Sequence, residues 1–468
     1  MKEGINMMAN TDNNGTVAVI LAAGKGTRMK SDLPKVLHPL LGEPMIAYVV
    51  RALEQAGAGH ILAVLGHGGQ QVEQVLQDRA EPVYQKEQLG TGHALLMALP
   101  QLLAWGGGDC LVVCGDTPLL TGETLTDLRL RRRREGAQAT VLTALLEEPR
   151  GYGRIIKEGN RVTAIVEEKD ADENQRQIRE VNAGAYCFDL GWLSKALEQL
   201  TPANAQGEYY LTDVIAYLAA QGQLVTSCQV DQPEEIWGIN DRLQLAKAQD
   251  RLRHRILEGH MLAGVTVEEP NTTIVGPLVE IGRDTVLETG CQLFGRTVIG
   301  EACVIGPRSR ITDCSIGKGT KVNQSTMEGC ETGEGCQIGP YTYLRPGCVL
   351  ADKVKAGGFV EMKKVKADTD AKIPHLSYMG DCTIGKKVNV GAGTITCNYD
   401  GVNKFPTVIG DGAFIGSNTN LVAPVNVGPG AYTAAGSTIT EDVPANSLGV
   451  ARGRQTNILD WKNRPSKK

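Results

Sequence analysis

The chain has 468 residues, a formal net charge of −5 at pH 7 and 42% hydrophobic residues. A chain of this length exceeds one ordinary hydrophobic core, so two or three domains are expected. The negative net charge argues against a general nucleic-acid-binding protein, and the lack of any run of roughly 20 uncharged apolar residues argues against a membrane-spanning helix.

Residues 1–15 are polar and lack the apolar core of a secretory signal, so we expect a disordered extension there. The twelve cysteines of the chain are scattered, with no Cys-x-x-Cys pair and no histidine cluster at metal spacing. This usage is typical of reduced thiols and predicts a cytoplasmic protein.

The first predicted strand, Val17–Leu21, runs into a glycine-rich turn. Counting from Gly24, the sixth position is Met29, so the dinucleotide fingerprint G-x-G-x-x-G is absent, as is the Walker spacing. Two interpretations remain. The turn is either an ordinary tight turn or a loop whose backbone N–H groups face an anion, with Arg28 and Lys35 as flexible cations.

Strand-like and helical stretches alternate from residue 16 to 242, which predicts an α/β domain with a Rossmann-like, mainly parallel sheet. Ligands of such sheets bind beyond the carboxyl ends of the strands, where the loops at Gly24 and Gly115–Leu119 would lie. The basic run Arg129–Glu135 is interpreted as a solvated helix face rather than a nucleic-acid patch. A linker helix is predicted over 243–263.

Residues 264–468 change character and follow a period of six. Aliphatic residues recur at this step from Ile281 to Ile311 and, with Thr433 as the one exception, from Ile409 to Ile439, and Tyr378, Ile384 and Val390 keep it too. A six-residue period predicts a β-solenoid in which each repeat supplies one short strand and one turn, three faces making one coil. The period breaks at two places, where we expect loops to leave the coils; these are residues 311–338 and 350–360.

The motifs together resemble two known groups of enzymes. They are "LAAGKGTRM", "EQLGTGHA", "GYGRI", "AQGEYYLTD", "EMKK" and "GAGTITCNYDG". The N-terminal half resembles sugar-phosphate nucleotidyltransferases, and the C-terminal half resembles acetyltransferases built on a left-handed parallel β-helix of hexapeptide repeats. In this order, joined by a helix, they resemble the bacterial bifunctional uridyltransferase/acetyltransferase family. That resemblance implies a homotrimer with composite acetyltransferase sites and a role in supplying peptidoglycan and lipopolysaccharide precursors.

The resemblance implies that the first domain converts UTP and N-acetylglucosamine 1-phosphate to UDP-N-acetylglucosamine and pyrophosphate. Such a site must neutralise several phosphates, for which Arg28 and Lys35 are the catalytic cations. The matching motifs assign Mg²⁺ ligation to Asp116 and Asn240. The residues implied to bind UTP and UDP-N-acetylglucosamine are Leu21, Ala22, Ala23, Gly24, Lys35, Gln85, Gly90, Thr91, Cys114, Gly115, Asp116, Gly153, Glu167, Asn182 and Asn240.

Within that set, the motif around Gln85 is implied to read uracil, and the remaining motifs surround the sugar. Gly153 and Asn182 have an alternative as turn residues, and Glu167 has an alternative as a surface acid beside Lys169. Cys114 departs from the tyrosine common at its position, where a backbone contact is the expected role.

The second reaction implied is acetyl transfer from acetyl-CoA to glucosamine 1-phosphate. His375 is the expected base because imidazole titrates near neutrality, and Glu361 is expected to orient its ring. The residues implied for glucosamine 1-phosphate are Arg345, Lys363, Tyr378 and Asn389. Those implied for acetyl-CoA are Ala392, Asn398, Tyr399, Ser417, Ala435 and Arg452, with Arg454 as a rival of Arg452 for a CoA phosphate.

Two alternatives remain open from the sequence. One is another sugar-phosphate nucleotidyltransferase whose β-helix serves regulation or assembly. The other is a β-helix that acts only as a trimerisation scaffold and carries no chemistry.

Overall fold

The computed structural model describes residues 15–463, so the predicted disordered extension lies almost wholly outside the described residues. The chain divides into two compact units between Leu252 and Arg253, within one long helix. No helix of the described chain has the length and hydropathy needed to cross a membrane.

The first unit alternates strands and helices. Its strands are β1 Thr16–Ala22, β2 Pro39–Leu40, β3 Glu43–Pro44, β4 His60–Leu65, β5 Glu81–Tyr84, β6 Asp109–Cys114, β7 Ala139–Leu145, β8 Arg154–Glu158, β9 Arg161–Val166, β10 Glu180–Asp189 and β11 Val225–Gln229. The helices are α1 Met45–Gln55, α2 Gly69–Leu76, α3 Thr91–Trp105, α4 Gly122–Glu135, α5 Glu173–Arg176, α6 Leu190–Leu197, α7 Asp213–Ala220 and α8 Arg242–Leu262, which continues into the second unit.

The main sheet has the order β11-β7-β10-β6-β1-β4-β5, and the β8–β9 hairpin joins it through β10. All neighbours along this order are parallel except β10, which runs antiparallel to β6 and β7. The predicted mainly parallel sheet is therefore confirmed. β1 is central and buried on both faces, which explains its unbroken apolar run. Its register places Leu21 opposite Cys114, so the loops after β1 and β6 open at the same edge.

The basic run on α4 only partly matches its interpretation as a solvated face. Arg132 and Arg133 both form ion pairs with Asp109, whose side chain is fully buried at the start of β6. Arg131 does lie on the exposed side, paired with Glu135. A buried carboxylate needs charged partners to offset its lost hydration, so half of this run is structural.

The second unit is a parallel β-helix. Its strands are β12 Thr266–Val267, β13 Ile274–Val275, β14 Glu280–Ile281, β15 Val286–Leu287, β16 Gln292–Phe294, β17 Val298–Ile299, β18 Val304–Gly306, β19 Arg310–Thr312, β20 Ser315–Ile316, β21 Lys321–Asn323, β22 Thr326–Glu328, β23 Glu331–Thr332, β24 Gln337–Ile338, β25 Tyr343–Leu344, β26 Val349–Leu350, β27 Lys355–Lys363, β28 Lys366–Ala367, β29 Lys372–Gly380, β30 Cys382–Ile384, β31 Asn389–Val390, β32 Ile395–Cys397, β33 Thr407–Ile409, β34 Phe414–Ile415, β35 Asn420–Val422, β36 Val425–Val427, β37 Tyr432–Thr433, β38 Thr438–Ile439 and β39 Leu448–Gly449.

Each β-helix strand pairs in parallel with the strand one coil further on, so the strands stack into three faces. One face is the ladder β14-β17-β20-β23-β26-β28-β30-β33-β36. The other two share the long strands β27 and β29, which turn a corner without ending. The side chains that recur at the six-residue step fill the interior, and their stacking from coil to coil forms one continuous apolar core.

The breaks in the six-residue period are not loops, and that expectation was wrong. Between Ile311 and Ile338 the coils continue, with steps of five residues where turns are one residue shorter. After Leu350 the six-residue step itself continues, but through the small buried residue Ala356.

Tyr378 is not a core position, because Met379 is the buried residue of that strand. The segment that does leave the coils is 398–406, between β32 and β33, where Val402 is 83% exposed. No sequence pattern had predicted this excursion.

Candidate active sites

A cleft of about 310 Å³ opens at the carboxyl edge of the main sheet of the first unit. It is lined by residues from the loops after β1, β5 and β6 and from the start of α3. The predicted nucleotide-binding residues among them are Leu21, Ala22, Ala23, Gly24, Lys35, Gln85, Gly90, Thr91, Cys114 and Asp116. Sequence reasoning missed Val36, Gln88, Ala94 and Glu208, although three of these lie within quoted or adjoining motifs.

The two glycines of the glycine-rich turn have different roles: Gly24 leaves open space for a ligand, and Gly26 allows Lys35 to approach the turn. A Cβ on Gly24 would meet no protein atom within 4 Å, so that glycine leaves open space at the cleft. Gly26 has φ +61°, and a Cβ there would lie 2.6 Å from Lys35 Cβ. Gly26 is therefore required by the fold because it allows Lys35 to approach.

Replacing Gly26 with alanine should displace Lys35 and lower kcat for nucleotidyl transfer by roughly a hundredfold, because small misplacements of catalytic groups have large effects. Gly24→Ala is the matched comparison in the same turn. The added methyl group meets no protein atom, so the variant should keep the wild-type thermal unfolding. The methyl group occupies the open space at the cleft, so the KM for the nucleotide should rise. Steady-state kinetics of both variants test this, and a Gly26→Ala enzyme with wild-type kcat would contradict the account.

Four predicted residues converge beside the turn. Lys35 Nζ donates a short hydrogen bond to Asp116 Oδ2 and a longer one, 3.3 Å, to Asn240 Oδ1. Arg28 Nη2 donates to the same Asn240 oxygen at 2.8 Å. The Asp116 and Asn240 loops are tied by the Ile239 N–H, which donates to the Asp116 carbonyl at 2.9 Å. Residues far apart in sequence thus form one cluster of two cations and two oxygen ligands.

This cluster fits a hard divalent cation. The Lys35 ammonium lies between Asp116 Oδ2 and Asn240 Oδ1, so both oxygens already face one cation. No group of three or more His, Cys, Asp or Glu side chains suited to a metal occurs among residues 15–463. A cation here would therefore take its other ligands from phosphate oxygens and water, which is the usual manner of Mg²⁺.

The start of α8 holds Asn240 in place. The Gln244 N–H donates to Asp241 Oδ1 at 2.8 Å, and Gln244 Oε1 accepts from the Asn240 N–H at 2.7 Å. Arg242 Nε donates to the Met29 carbonyl at 3.4 Å, which links the helix to the glycine-rich turn. Sequence reasoning missed Gln244 and Arg242, although the Asp-x-x-Gln spacing is a helix-capping signal.

The predicted sugar residues lie next to Cys114. The Asn182 N–H donates to the Gly153 carbonyl at 2.9 Å, which joins two of them. Asn182 lies within strand β10, at the edge of a bulge, rather than in a turn, and its side chain donates to the Tyr186 hydroxyl and accepts from the Gly184 N–H. Cys114 Sγ faces the Gly184 carbonyl, and burial raises the pKa of the Cys114 thiol to about 12.

Glu167 is not the surface acid of the alternative interpretation. It is half-buried and accepts a 3.2 Å hydrogen bond from the Thr212 hydroxyl, whereas Lys169 instead contacts Gln206. Burial raises the pKa of Glu167, and the carboxylate of Asp170 adds to the effect. A half-buried carboxylate is suited to accept hydrogen bonds from sugar hydroxyls.

In the second unit, His375 lies on β29 and is exposed. Its imidazole makes no hydrogen bond within the described part of this chain. Within this chain Glu361 does not orient the ring, because the register pairs Gly358 with His375 and Glu361 with Tyr378. Glu361 lies three residues beyond Gly358 along β27 and accepts from Arg345 Nη1 at 3.1 Å.

Three cationic side chains cluster near Glu361. They are Arg345, Lys363 and Lys404, the last of which lies in the 398–406 excursion. The Lys404 ammonium lowers the pKa of Lys363, with a smaller effect in the same direction from Arg345. Such mutual repulsion is relieved by an anion. The sequence had predicted Arg345 and Lys363, but Lys404 was missed because its segment was not recognised as an excursion.

Two other predicted residues, Tyr378 and Asn398, lie near this cluster, whereas Asn389 pairs with the far end of β29. Asn398 Nδ2 donates to Asp381 Oδ2 at 2.6 Å. A Cβ on Gly380 would lie 2.6 Å from the Tyr378 hydroxyl and 2.7 Å from Asn398 Nδ2, so glycine is required there to bring the two together. Asn389 begins β31, one coil from Lys372.

The predicted acetyl-CoA residues lie on later coils. Tyr399 forms an isolated bridge with Lys404 within the excursion. Ala392 accepts from the Asn418 N–H, and Ser417 from the Gly436 N–H. Arg452 is exposed and donates to the Ala435 carbonyl at 3.0 Å.

Comparisons with known proteins agree with this division. Residues 18–183 match the MobA-like NTP transferase domain, and residues 406–441 match the bacterial transferase hexapeptide repeats. A protein of Heliobacterium modesticaldum named bifunctional protein GlmU is 52% identical over 453 residues, covering 96% of this chain and 99% of the relative. Proteins of the same name from Desulfitobacterium hafniense (strain DCB-2) and Geobacillus sp. (strain WCH70) are each 50% identical, over 95% and 96% of this chain and 98% of each relative.

Proposed function

The chain belongs to the family of bifunctional GlmU proteins, and from this premise we propose which residues carry each of its two reactions. The protein is a bifunctional transferase. Its β-helix unit transfers acetyl from acetyl-CoA to glucosamine 1-phosphate, and its α/β unit transfers uridyl from UTP to N-acetylglucosamine 1-phosphate. The observation that carries the residue assignment for uridyl transfer is the convergence of Arg28, Lys35, Asp116 and Asn240 at one edge of the cleft.

In uridyl transfer, the sugar phosphate attacks the α-phosphorus of UTP and pyrophosphate leaves. The attacking phosphate is already ionised, so no general base is required. We assign Arg28 and Lys35 to the charge that develops on the leaving oxygens. Asp116 and Asn240 would hold Mg²⁺, which when bound neutralises and orients the phosphates.

The open space at Gly24 would admit the triphosphate along the turn. The half-buried carboxylate of Glu167, beside Gly153 and Asn182, would accept hydroxyls of the sugar. Gln85 with the start of α3 would contact the base. Each of these assignments is supported by its position in or beside the cleft.

In acetyl transfer, the amine of glucosamine 1-phosphate attacks the thioester carbonyl, the carbon–sulfur bond breaks and CoA leaves. His375 would take the proton from the amine and return it to the CoA sulfur. The cluster of Arg345, Lys363 and Lys404 would hold the phosphate of the acceptor, with Tyr378 and Asn389 beside the sugar. Asn398, Ala392, Tyr399, Ser417, Ala435 and Arg452 would contact acetyl-CoA.

A homotrimer with composite acetyltransferase sites is part of the proposal. Exposed aromatic side chains on the β-helix support it, since Phe414 and Tyr432 stack at 5.4 Å while 42% and 52% exposed. The exposed imidazole of His375 is consistent with a site completed by a neighbouring chain. A cytoplasmic location is supported by the twelve free cysteines.

A nucleotide panel tests the assignment of the first site. Purified protein with Mg²⁺ and N-acetylglucosamine 1-phosphate should release pyrophosphate with UTP far faster than with ATP, GTP or dTTP. Equal rates with ATP or GTP would contradict the uridyl assignment.

Chelation of divalent cations should abolish pyrophosphate release and leave acetyl transfer unchanged, because only the first reaction requires the metal.

A further inference from the structure

Gln85 is a buried amide at the inner end of the nucleotide cleft. Gln85 is the first residue after β5. It is only 4% exposed, yet it lines the cleft together with Gly90 and Thr91. Its Nε2 donates to the Gly90 carbonyl at 3.1 Å and contacts His93 Nδ1 at 2.9 Å. Both hydrogens of this amide nitrogen are therefore engaged within the protein.

These contacts fix the orientation of the amide. A backbone carbonyl can only accept, so the Gly90 carbonyl must face the NH₂ side of Gln85. The second hydrogen of Nε2 then points to His93 Nδ1, which must be the unprotonated nitrogen of the ring. The remaining polar atom, Gln85 Oε1, is an acceptor with no partner in the described part of the chain.

His93 is itself held in position. It lies in the first turn of α3, and its ring is 6.3 Å from that of Tyr209. The Tyr209 backbone accepts from the Gly92 N–H and donates to the Leu89 carbonyl, both at 2.8 Å, so the segment is anchored on both sides of the turn. A Cβ on Gly90 would lie 2.6 Å from the Tyr209 carbonyl oxygen, which leaves only glycine at this close approach.

The cleft therefore presents an acceptor beside a donor. The acceptor is Gln85 Oε1, and the donor is the Thr91 N–H in the first turn of α3, which has no partner in the described part of the chain, whereas the Gly92 N–H is bound to the Tyr209 carbonyl. The pairing edge of uracil carries an N3–H donor beside the O4 acceptor, and it matches this arrangement. Cytosine carries an N3 acceptor beside an amino donor, so the same edge is reversed and both contacts become repulsive.

We propose that His93 is a positioning residue for base selection: by accepting from Gln85 Nε2, it holds the amide with its oxygen toward the base and so excludes CTP. The proposal rests on the proposed uridyl transfer at this cleft. Without His93 only the Gly90 contact opposes rotation of the amide, so the flipped orientation, in which Oε1 faces the Gly90 carbonyl and the NH₂ group donates to cytosine N3, costs less free energy.

Two substitutions separate the hydrogen bond from the packing of the ring. His93→Phe keeps a ring of similar size beside Tyr209 and removes the acceptor. His93→Asn loses the ring but places Oδ1, an acceptor, at the position of Nδ1. We expect His93→Phe to lower the ratio of kcat/KM for UTP over CTP at least about tenfold, the factor that corresponds to one hydrogen bond, with the change mainly in KM. His93→Asn should keep the ratio within about twofold to threefold of wild type.

The measurements are steady-state uridyl and cytidyl transfer to N-acetylglucosamine 1-phosphate, with thermal unfolding of each variant. A wild-type ratio near one would reject the proposed uridine specificity itself. A large wild-type ratio that survives in His93→Phe would overturn the role of His93 alone. An equal loss in both variants would also overturn it, since ring packing rather than the acceptor would then decide the selection.

Discussion

Asp116→Asn is expected to lower kcat/KM for uridyl transfer by roughly a thousandfold or more. The substitution preserves shape but removes the negative charge that pairs with Lys35 and would bind the divalent cation. Because both the cation and the position of Lys35 depend on this carboxylate, the two losses act together. Pyrophosphate release with UTP and N-acetylglucosamine 1-phosphate measures the effect.

Asp32→Asn is the matched control for that variant. Asp32 is an exposed carboxylate three residues before Lys35, and it takes no part in the hydrogen bonds and ion pair of the cluster. It should retain wild-type rates. Acetyl transfer by Asp116→Asn should also be unchanged, because His375 lies in the other compact unit. Uridyl transfer by Asp116→Asn within about tenfold of wild type would contradict the assignment.

His375→Ala is expected to lower kcat for acetyl transfer by roughly a hundredfold to ten-thousandfold, the range for loss of a general base. The side chain is exposed and makes no hydrogen bond within the described chain, so its removal should leave thermal unfolding unchanged. Thiol release from acetyl-CoA in the presence of glucosamine 1-phosphate measures the loss. Uridyl transfer should keep its wild-type rate.

Lys366→Ala is the control for His375→Ala. Lys366 is exposed on β28, which belongs to a different face of the β-helix. It should retain full acetyl transfer. If His375→Ala also retained full acetyl transfer, the base would be another group. If the wild-type protein released no thiol at all, the β-helix would be a scaffold, as in the alternative that the sequence left open.

The fold was predictable where one physical pattern dominated. β1 reads as an unbroken apolar strand because it is central and buried on both faces. The β-helix follows from its period of six because each coil repeats one inward side chain. The period failed where a turn lost one residue or where the inward residue was small, as at Ala356. Tyr378 was misassigned because it kept the six-residue step by coincidence, while Met379 fills the core.

The candidate sites were predictable only as far as their motifs reached. Asp116 and Asn240 were proposed together by resemblance, and in the structure both accept a hydrogen bond from the Lys35 ammonium. The residues that hold these site residues in place were missed, because no motif includes their hydrogen bonds. Gln244 fixes Asn240 through a helix cap, and His93 fixes Gln85 across a tight turn. Within one chain Glu361 is not the neighbour of His375, which the sequence could not show because closeness in sequence does not give the register between neighbouring strands.

If one chain carries two independent transferase sites joined by a diffusible intermediate, two singly inactive variants should complement each other. Separately purified Asp116→Asn and His375→Ala proteins should each fail to make UDP-N-acetylglucosamine from glucosamine 1-phosphate, acetyl-CoA and UTP. Mixed in equal amounts, they should make it at a rate set by the wild-type site in each. A mixture as inactive as its components would contradict the account.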